Sequence, residues 1–302
     1  MAEKFKFVVT PAGLPKVPVK IAAYKTIRPS LEQQRKKAMT LGKTLGMKCD
    51  LESQFEVEGR ILHQEADNLL ECFTESGAIW YADTRRLWEE RPSSVDFEKI
   101  FGIRGKSKVE GRIRIAAENL LKKNGLLTKG IHFVAVEESR CSQLKDGQKY
   151  PSKVSVCGLQ VSFGFELDGI PVVGPGAKIN VTYGDGGKIM GFFNAWRDVV
   201  KVHGVRLVPP EAALDSFRKS RLFEDLGKGS KVVVDSFVLA YYALPVPEVQ
   251  DFLLPVYQIK GRVETEAFEH AFTRYAPAVT PETMKKAGML KDPGIFPDPD
   301  LL

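Results

Sequence analysis

Three times along this chain a helical segment is followed by a block of strands, and that order most constrains what it can fold into. The first helix is expected over about 31–47. Ser30 and Gln33 make a capping-box pair, and Leu31, Ala38, Leu41 and Leu45 recur at helical spacing. The second is expected over about 108–124. Ser107 and Glu110 form another such pair, Val109, Ile113, Ala116, Ala117, Leu120 and Leu121 draw an apolar stripe, and Gly125 supplies a stop. The third starts at Pro209-Pro210, where proline suits a first turn, and carries Leu214, Phe217 and Leu222. A short fourth follows Thr280-Pro281 and ends at Gly288.

The strand blocks are marked by two-residue alternation. In the first, Leu51, Ser53, Phe55, Val57, Gly59 and Ile61 alternate with polar neighbours, which predicts one buried and one wet face. A hairpin near Ser76-Gly77 returns through Ala78-Ile79-Trp80-Tyr81. In the second block Leu159, Val161, Phe163, Phe165 and Leu167 share one parity, while Val154 and Val156 lie on the other. A strand changes parity only by an extra residue, so a bulge is expected near Cys157-Gly158. Asp168-Gly169 and Asp185-Gly186-Gly187 are turn signals. The third block pairs 232–242 with 252–263 across Leu244-Pro245-Val246-Pro247.

Strand blocks after helices, without strict βαβ alternation, predict an α+β fold of tandem helix-plus-curved-antiparallel-sheet modules, each sheet with a concave face. The boundaries fall at 1–100, 101–204 and 205–276, with a short helix and an extended arm over 277–302. The irregular period excludes a solenoid. At 302 residues, 43% hydrophobic and 27% charged, the chain has the composition of a soluble globular protein and can bury a core without disulfides or metal, and no cofactor is expected. No apolar run reaches the roughly 18 residues of a membrane span. The N-terminus has no apolar core for a signal peptide, so the sequence as written reads as cytoplasmic with reduced thiols; a removed leader would make it secreted.

Lys and Arg total 44 against 38 Asp and Glu, and the excess is uneven. Nine basic residues and one acid, Glu32, lie between Lys16 and Lys48, which is expected to be the solvated face of one helix. Nucleic acid is not the expected partner, because no aromatics interleave with the charge and no known motif is present. Cys49, Cys72, Cys141 and Cys157 make no CxxC or zinc-ligand spacing. Cys141 and Cys157 flank a hairpin and can bond if their registers match.

Nucleotide-loop, nucleophile-elbow and metalloprotease motifs are absent. Gly174-Pro175-Gly176 and Gly184-Asp185-Gly186-Gly187 lie between strands and read as turns. His63, His132, His203 and His270 are scattered and read as structural or surface residues. The densest mix of aromatic and polar groups is 192–198. On one strand, Phe192, Asn194, Trp196 and Asp198 would share a face, and Arg197 on the other would meet a carboxylate. Trp196 as platform, Asn194 and Asp198 as polar handles, and Tyr183, Phe163 and Phe165 as neighbours are the candidate ligand wall. Tyr241, Tyr242 and Tyr257 are expected to be core.

The string Asp235-Ser236-Phe237-Val238-Leu239-Ala240-Tyr241-Tyr242, followed by Phe252-Leu253-Leu254-Pro255-Val256-Tyr257-Gln258-Ile259-Lys260-Gly261, resembles the YycH/YycI and PepSY-like, cystatin-like domains. The stretch 159–199, with Asp168-Gly169-Ile170-Pro171-Val172 and Gly184-Asp185-Gly186-Gly187-Lys188-Ile189, looks like the strand block of the same kind of module. The resemblance covers about 105–265. It implies a non-catalytic regulator, propeptide-like inhibitor or binding domain, often behind a membrane anchor, which this sequence does not carry.

Two functions are therefore expected. One is a binding or regulatory protein that uses a concave sheet face or sheet edge for a peptide, protein or apolar ligand. The other is a cofactor-independent isomerase, cyclase or lyase acting on an apolar small molecule in a sheet-lined pocket. An enzyme requires an enclosed pocket with a buried, displaced acid; a binding module requires an open edge or apolar patch. The catalytic residues and oligomeric state are not expressed in the sequence.

Overall fold

A computed structural model describes residues 5–10, 13–50, 54–87, 94–142, 147–150, 154–227 and 229–289. The N-terminal elements are β1 (Lys6–Val9), β2 (Lys20–Ile27), α1 (Leu31–Thr44), β3 (Gln54–Val57), β4 (Arg60–Glu65), β5 (Asn68–Phe73), β6 (Ile79–Asp83) and α2 (Thr84–Leu87). Next come α3 (Phe97–Phe101), α4 (Lys106–Lys123), β7 (Ile131–Ser142), β8 (Val154–Leu167), β9 (Ile170–Val173), β10 (Ile179–Tyr183), β11 (Ile189–Asn194) and β12 (Asp198–Arg206). The chain continues through α5 (Pro210–Arg218), β13 (Lys231–Tyr242), β14 (Leu254–Glu264), β15 (Glu269–Pro277) and α6 (Pro281–Lys286). The fold is mixed α+β, mostly sheet. No described helix is long and apolar enough to cross a membrane.

Strands from all three blocks join one 13-stranded sheet in the order β15-β14-β13-β9-β8-β10-β11-β6-β5-β4-β3, with β1 on β13 and β7 on β8. The two seams differ. β6 and β11 pair antiparallel through Ile79–Ala82 and Gly191–Asn194. β9 meets β13 in parallel through only Val172–Val173 and Tyr241–Tyr242. β2 and β12 form a separate two-stranded ribbon. Tyr241, fully buried, ties that ribbon down by donating its hydroxyl to Ala22 O at 2.7 Å, and Tyr257 holds the chain just past β12 by donating to Val208 O at 2.7 Å.

The expected box at α1 forms: Ser30 Oγ accepts from Gln33 N, and Gln33 Oε1 from Ser30 N. The expected Ser107–Glu110 box does not. Helix α4 already begins at Lys106, so Ser107 lies inside the first turn. Gly105 stands at the cap with φ +101°, and its N–H is taken by Glu98 Oε1 from α3 at 2.8 Å. Val109, Ile113, Ala117 and Leu121 form the buried stripe of α4; Ala116 is exposed. Fully burying such aliphatic side chains contributes about 1.5–3 kcal/mol each, which is what holds α4 to the sheet.

The alternating run expected as one strand over 51–61 is a hairpin. Glu58 and Gly59 both take positive φ (44° and 75°), β3 ends before them and β4 begins after, and Phe55 and Val57 are left exposed. Residues 51–53 lie outside the described residues. The Asp168-Gly169 turn is found as expected, with φ 51° and 76° between Leu167 and Ile170. So is the bulge: Ser139 pairs with Gly158 and Arg140 with Val156, leaving Cys157 unmatched. Instead of the reduced thiols expected, Cys157 is bonded to Cys141, with Cα atoms 6.1 Å apart.

The basic N-terminal stretch does not occupy one helical face: Lys20 and Lys25 lie on β2, and Arg35, Lys36 and Lys37 on α1. The extended arm expected at 291–302 lies outside the described residues. Strands β1, β2, β12 and β15 were not marked in the sequence.

Candidate functional site

The segment expected as one strand over 192–198 is broken. β11 stops at Asn194, whose Oδ1 accepts from Trp196 N at 3.1 Å; a short polar side chain that bonds the backbone two residues on turns the chain there. β12 restarts at Asp198. Asn194 and Trp196 therefore share no wall, because the period-2 rule lapses at the turn.

Arg197 is buried, but not against a carboxylate as expected. Its guanidinium donates to three backbone carbonyls, Leu244 O (2.8 Å), Pro245 O (2.8 Å) and Glu248 O (2.9 Å). Desolvation pulls its pKa down to about 10, opposed by the Glu248 carboxylate, so it stays cationic at neutral pH. A Cβ on Gly176 would fall 2.2 Å from Leu244 O and 2.5 Å from an Arg197 nitrogen, so only glycine leaves room for this contact. Arg197 fastens the 195–197 link to the β13–β14 connection and thereby sets the position of Trp196.

The half-buried Trp196 indole stacks on Phe165, with centroids 4.0 Å apart and planes 8° from parallel. It lines a cleft of about 530 Å³ between the β2–β12 ribbon, the end of β8 and the link before β7. Tyr24, Lys129, Glu166, Asp168, Asp198 and Lys201 line the rest. Lys201 Nζ lies 2.7 Å from Asp168 Oδ2. Its hydrogen bond, then that of the Tyr24 hydroxyl, hold the Asp168 carboxyl below the usual carboxylate range. Tyr24 is pushed upward, first by burial and then by Asp168, so its phenol stays neutral. The cleft thus offers an aromatic platform and a rim of both signs, with Asp168 ionised at neutral pH.

Of the six expected wall residues, Trp196 and Asp198 meet in this cleft. Phe165 is buried beneath the indole. Phe163 is buried edge-on to Phe133, and Asn194 is buried in its turn. Tyr183 lies at the end of β10 in a different cleft. Tyr241, Tyr242 and Tyr257 are core, as expected. Tyr24, Lys129 and Lys201 were missed. The only sequence signal near them was the Asp168-Gly169 turn, which places a carboxylate just past a strand end.

Among the described residues no group of three or more His, Cys, Asp or Glu could hold a metal ion. The free thiols are buried. Desolvation, then Glu65, pushes Cys49 up to about 11, and desolvation pushes Cys72 up to about 12, so both are protonated and poor nucleophiles at neutral pH.

No family model and no curated protein matches the chain. A solved structure of an uncharacterized protein from Eubacterium rectale ATCC 33656 is similar at TM-score 0.47 and 10% sequence identity, over 92% of this chain and 90% of that one. At that distance the likeness carries no functional argument.

Proposed function

We propose that the chain is a non-catalytic binding or regulatory protein that takes an extended peptide, a protein segment or an apolar ligand in the Trp196 cleft. One observation carries this: an indole braced from below by Phe165 lines a cleft that is open to solvent and rimmed by charges of both signs. Such a platform gives apolar area at little entropic cost, while the rim fixes orientation. General-acid chemistry has less support. Every described carboxylate whose pKa is displaced, Glu32, Glu138, Asp168 and Glu264, is pushed down by a cationic neighbour rather than up by burial. An isomerase, cyclase or lyase needs the opposite displacement for an acid that holds its proton at neutral pH.

We also propose the tandem cystatin/PepSY-like architecture that the YycH/YycI resemblance implies. In its support, α1 precedes β3–β6, paired in chain order, and α4 precedes β7, β8, β10 and β11, which lie side by side. Helix α5 likewise precedes β13–β15.

The test is selection of phage-displayed peptides on the native protein and on Trp196→Ala. Enriched sequences should lose about tenfold or more in affinity on the variant, as for a central aromatic anchor. Peptides that bind both proteins equally, or a co-purified small molecule that the protein converts, would sink the proposal.

A further inference from the structure

A second cleft, of about 650 Å³, lies between the C-terminal ends of α1 and α4 and over strands β5, β6, β10 and β11. Tyr81 and Tyr183, both buried, line it, and Leu45, Leu120 and Ile189 give it apolar walls. Its charges are one-sided. Arg86, Lys123 and Lys188 stand against a single carboxylate, Asp83, which Arg86 occupies at 3.3 Å. Neither lysine has an ion-pair partner among the described residues.

The hydrogen bonding is unbalanced in the same sense. Tyr81 donates to Asn68 Oδ1 at 2.9 Å. Tyr183 is only 5% exposed, yet its hydroxyl has no partner among the described residues. Burial pushes both phenols upward, so they remain neutral donors. The hydroxyl oxygen itself is not sealed from solvent but opens onto the cleft, where an acceptor atom of a ligand can take its hydrogen. Most carbonyls at the two helix ends are taken by their own chain: those of Gly42, Lys43, Leu121 and Lys122 accept from Met47, Gly46, Leu126 and Gly125 N–H, and that of Leu120 from Asn124 Nδ2.

We propose that this cleft binds a small organic anion, a phosphate ester or a carboxylate, held between Lys123 and Lys188 with an acceptor atom on the Tyr183 hydroxyl. An inorganic ion would leave most of the volume and the apolar walls unused, so the ligand carries a body of ring or chain. The site is separate from the Trp196 cleft and does not depend on what binds there.

Titration calorimetry with phenyl phosphate, phenylacetate, inorganic phosphate and neutral benzyl alcohol tests this on the whole chain. One of the two organic anions should bind at least about tenfold more tightly than benzyl alcohol, the worth of a charge-assisted contact. Which one does so separates phosphate from carboxylate chemistry. The Lys123→Ala/Lys188→Ala double variant should lose that preference. Tyr183→Phe should weaken the anion while leaving benzyl alcohol unchanged. Lys36→Ala/Lys37→Ala, on the α1 surface, and Trp196→Ala should bind it as the native chain does. Equal affinity for anion and alcohol, preference retained without the two lysines, or no binding of either organic anion at millimolar concentration would overturn the proposal.

Discussion

The two clefts of this molecule share a scaffold but not an electrostatic character. At Trp196 the charges are of both signs: Lys201 is paired with Asp168, which also receives the Tyr24 hydroxyl, and Lys129, Glu166 and Asp198 complete a mixed rim around the aromatic face. At Tyr183 the lysines and the phenol are unanswered, and the aromatic residues are buried. What differs is the covering. The β2–β12 ribbon sets Tyr24 opposite Lys201 and brings both to Asp168 in the β8–β9 turn, whereas α4 and the β10–β11 turn bring Lys123 and Lys188 with no free acid to meet them. The first cleft therefore suits a ligand read by shape and apolar area, the second one read by charge.

That contrast can be broken most forcefully at Arg197. Arg197→Ala removes three charge-assisted bonds to part-buried carbonyls and should cost roughly 3–5 kcal/mol in urea unfolding. It should loosen peptide capture at Trp196 and leave phenyl phosphate binding intact. A loss under about 1 kcal/mol would mean that the carbonyls find water and the link needs no anchor. Next is the Cys141–Cys157 bond, which closes a 16-residue separation and is worth about 3 kcal/mol on chain-entropy grounds. Its reduction, checked by mass after alkylation, should lower the thermal midpoint and spare both clefts, since the bonded β7–β8 arm lines neither at those positions. Altered affinity at either cleft would show that the arm is coupled to it.

The smallest effect concerns Asp168. Its folded pKa is depressed, so it binds fewer protons in the native chain than in the unfolded one between the two values. The stability it contributes is present above its unfolded value of about 3.9 and is lost as pH falls through the lower folded value. Asn tolerates the left-handed conformation at this turn, so Asp168→Asn removes the charge with little backbone strain. Native and variant stabilities should differ slightly at neutral pH and converge in acid. The exposed ion pair makes the gap small. A gap that widens in acid would refute the assignment.

Helices and turns were the legible parts of the fold. Ser30 with Gln33, the Val109–Leu121 stripe and Asp168-Gly169 act over a few residues and appear where expected. The bulge at Cys157 was legible too, because a change of parity needs an extra residue whatever surrounds it. The candidate site was legible only in part. Trp196 and Asp198 stood out as an aromatic beside a charge, but their companions Tyr24 and Lys201 come from strands whose alternation is too weak to mark them. Extrapolating one strand through Asn194 failed because a single side chain-to-backbone bond ends the period.

By itself the sequence determined helices α1, α4, α5 and α6 but not the short α2 and α3, together with the sharp turns and most strand parities in the second and third blocks, since capping, positive φ and pleat alternation are local. Only the tertiary structure decided that these blocks join one sheet, that Arg197 serves carbonyls rather than a carboxylate, and that Trp196 and Tyr183 face separate clefts. Those outcomes depend on which distant edge, carbonyl or charge arrives alongside. No local spacing encodes that.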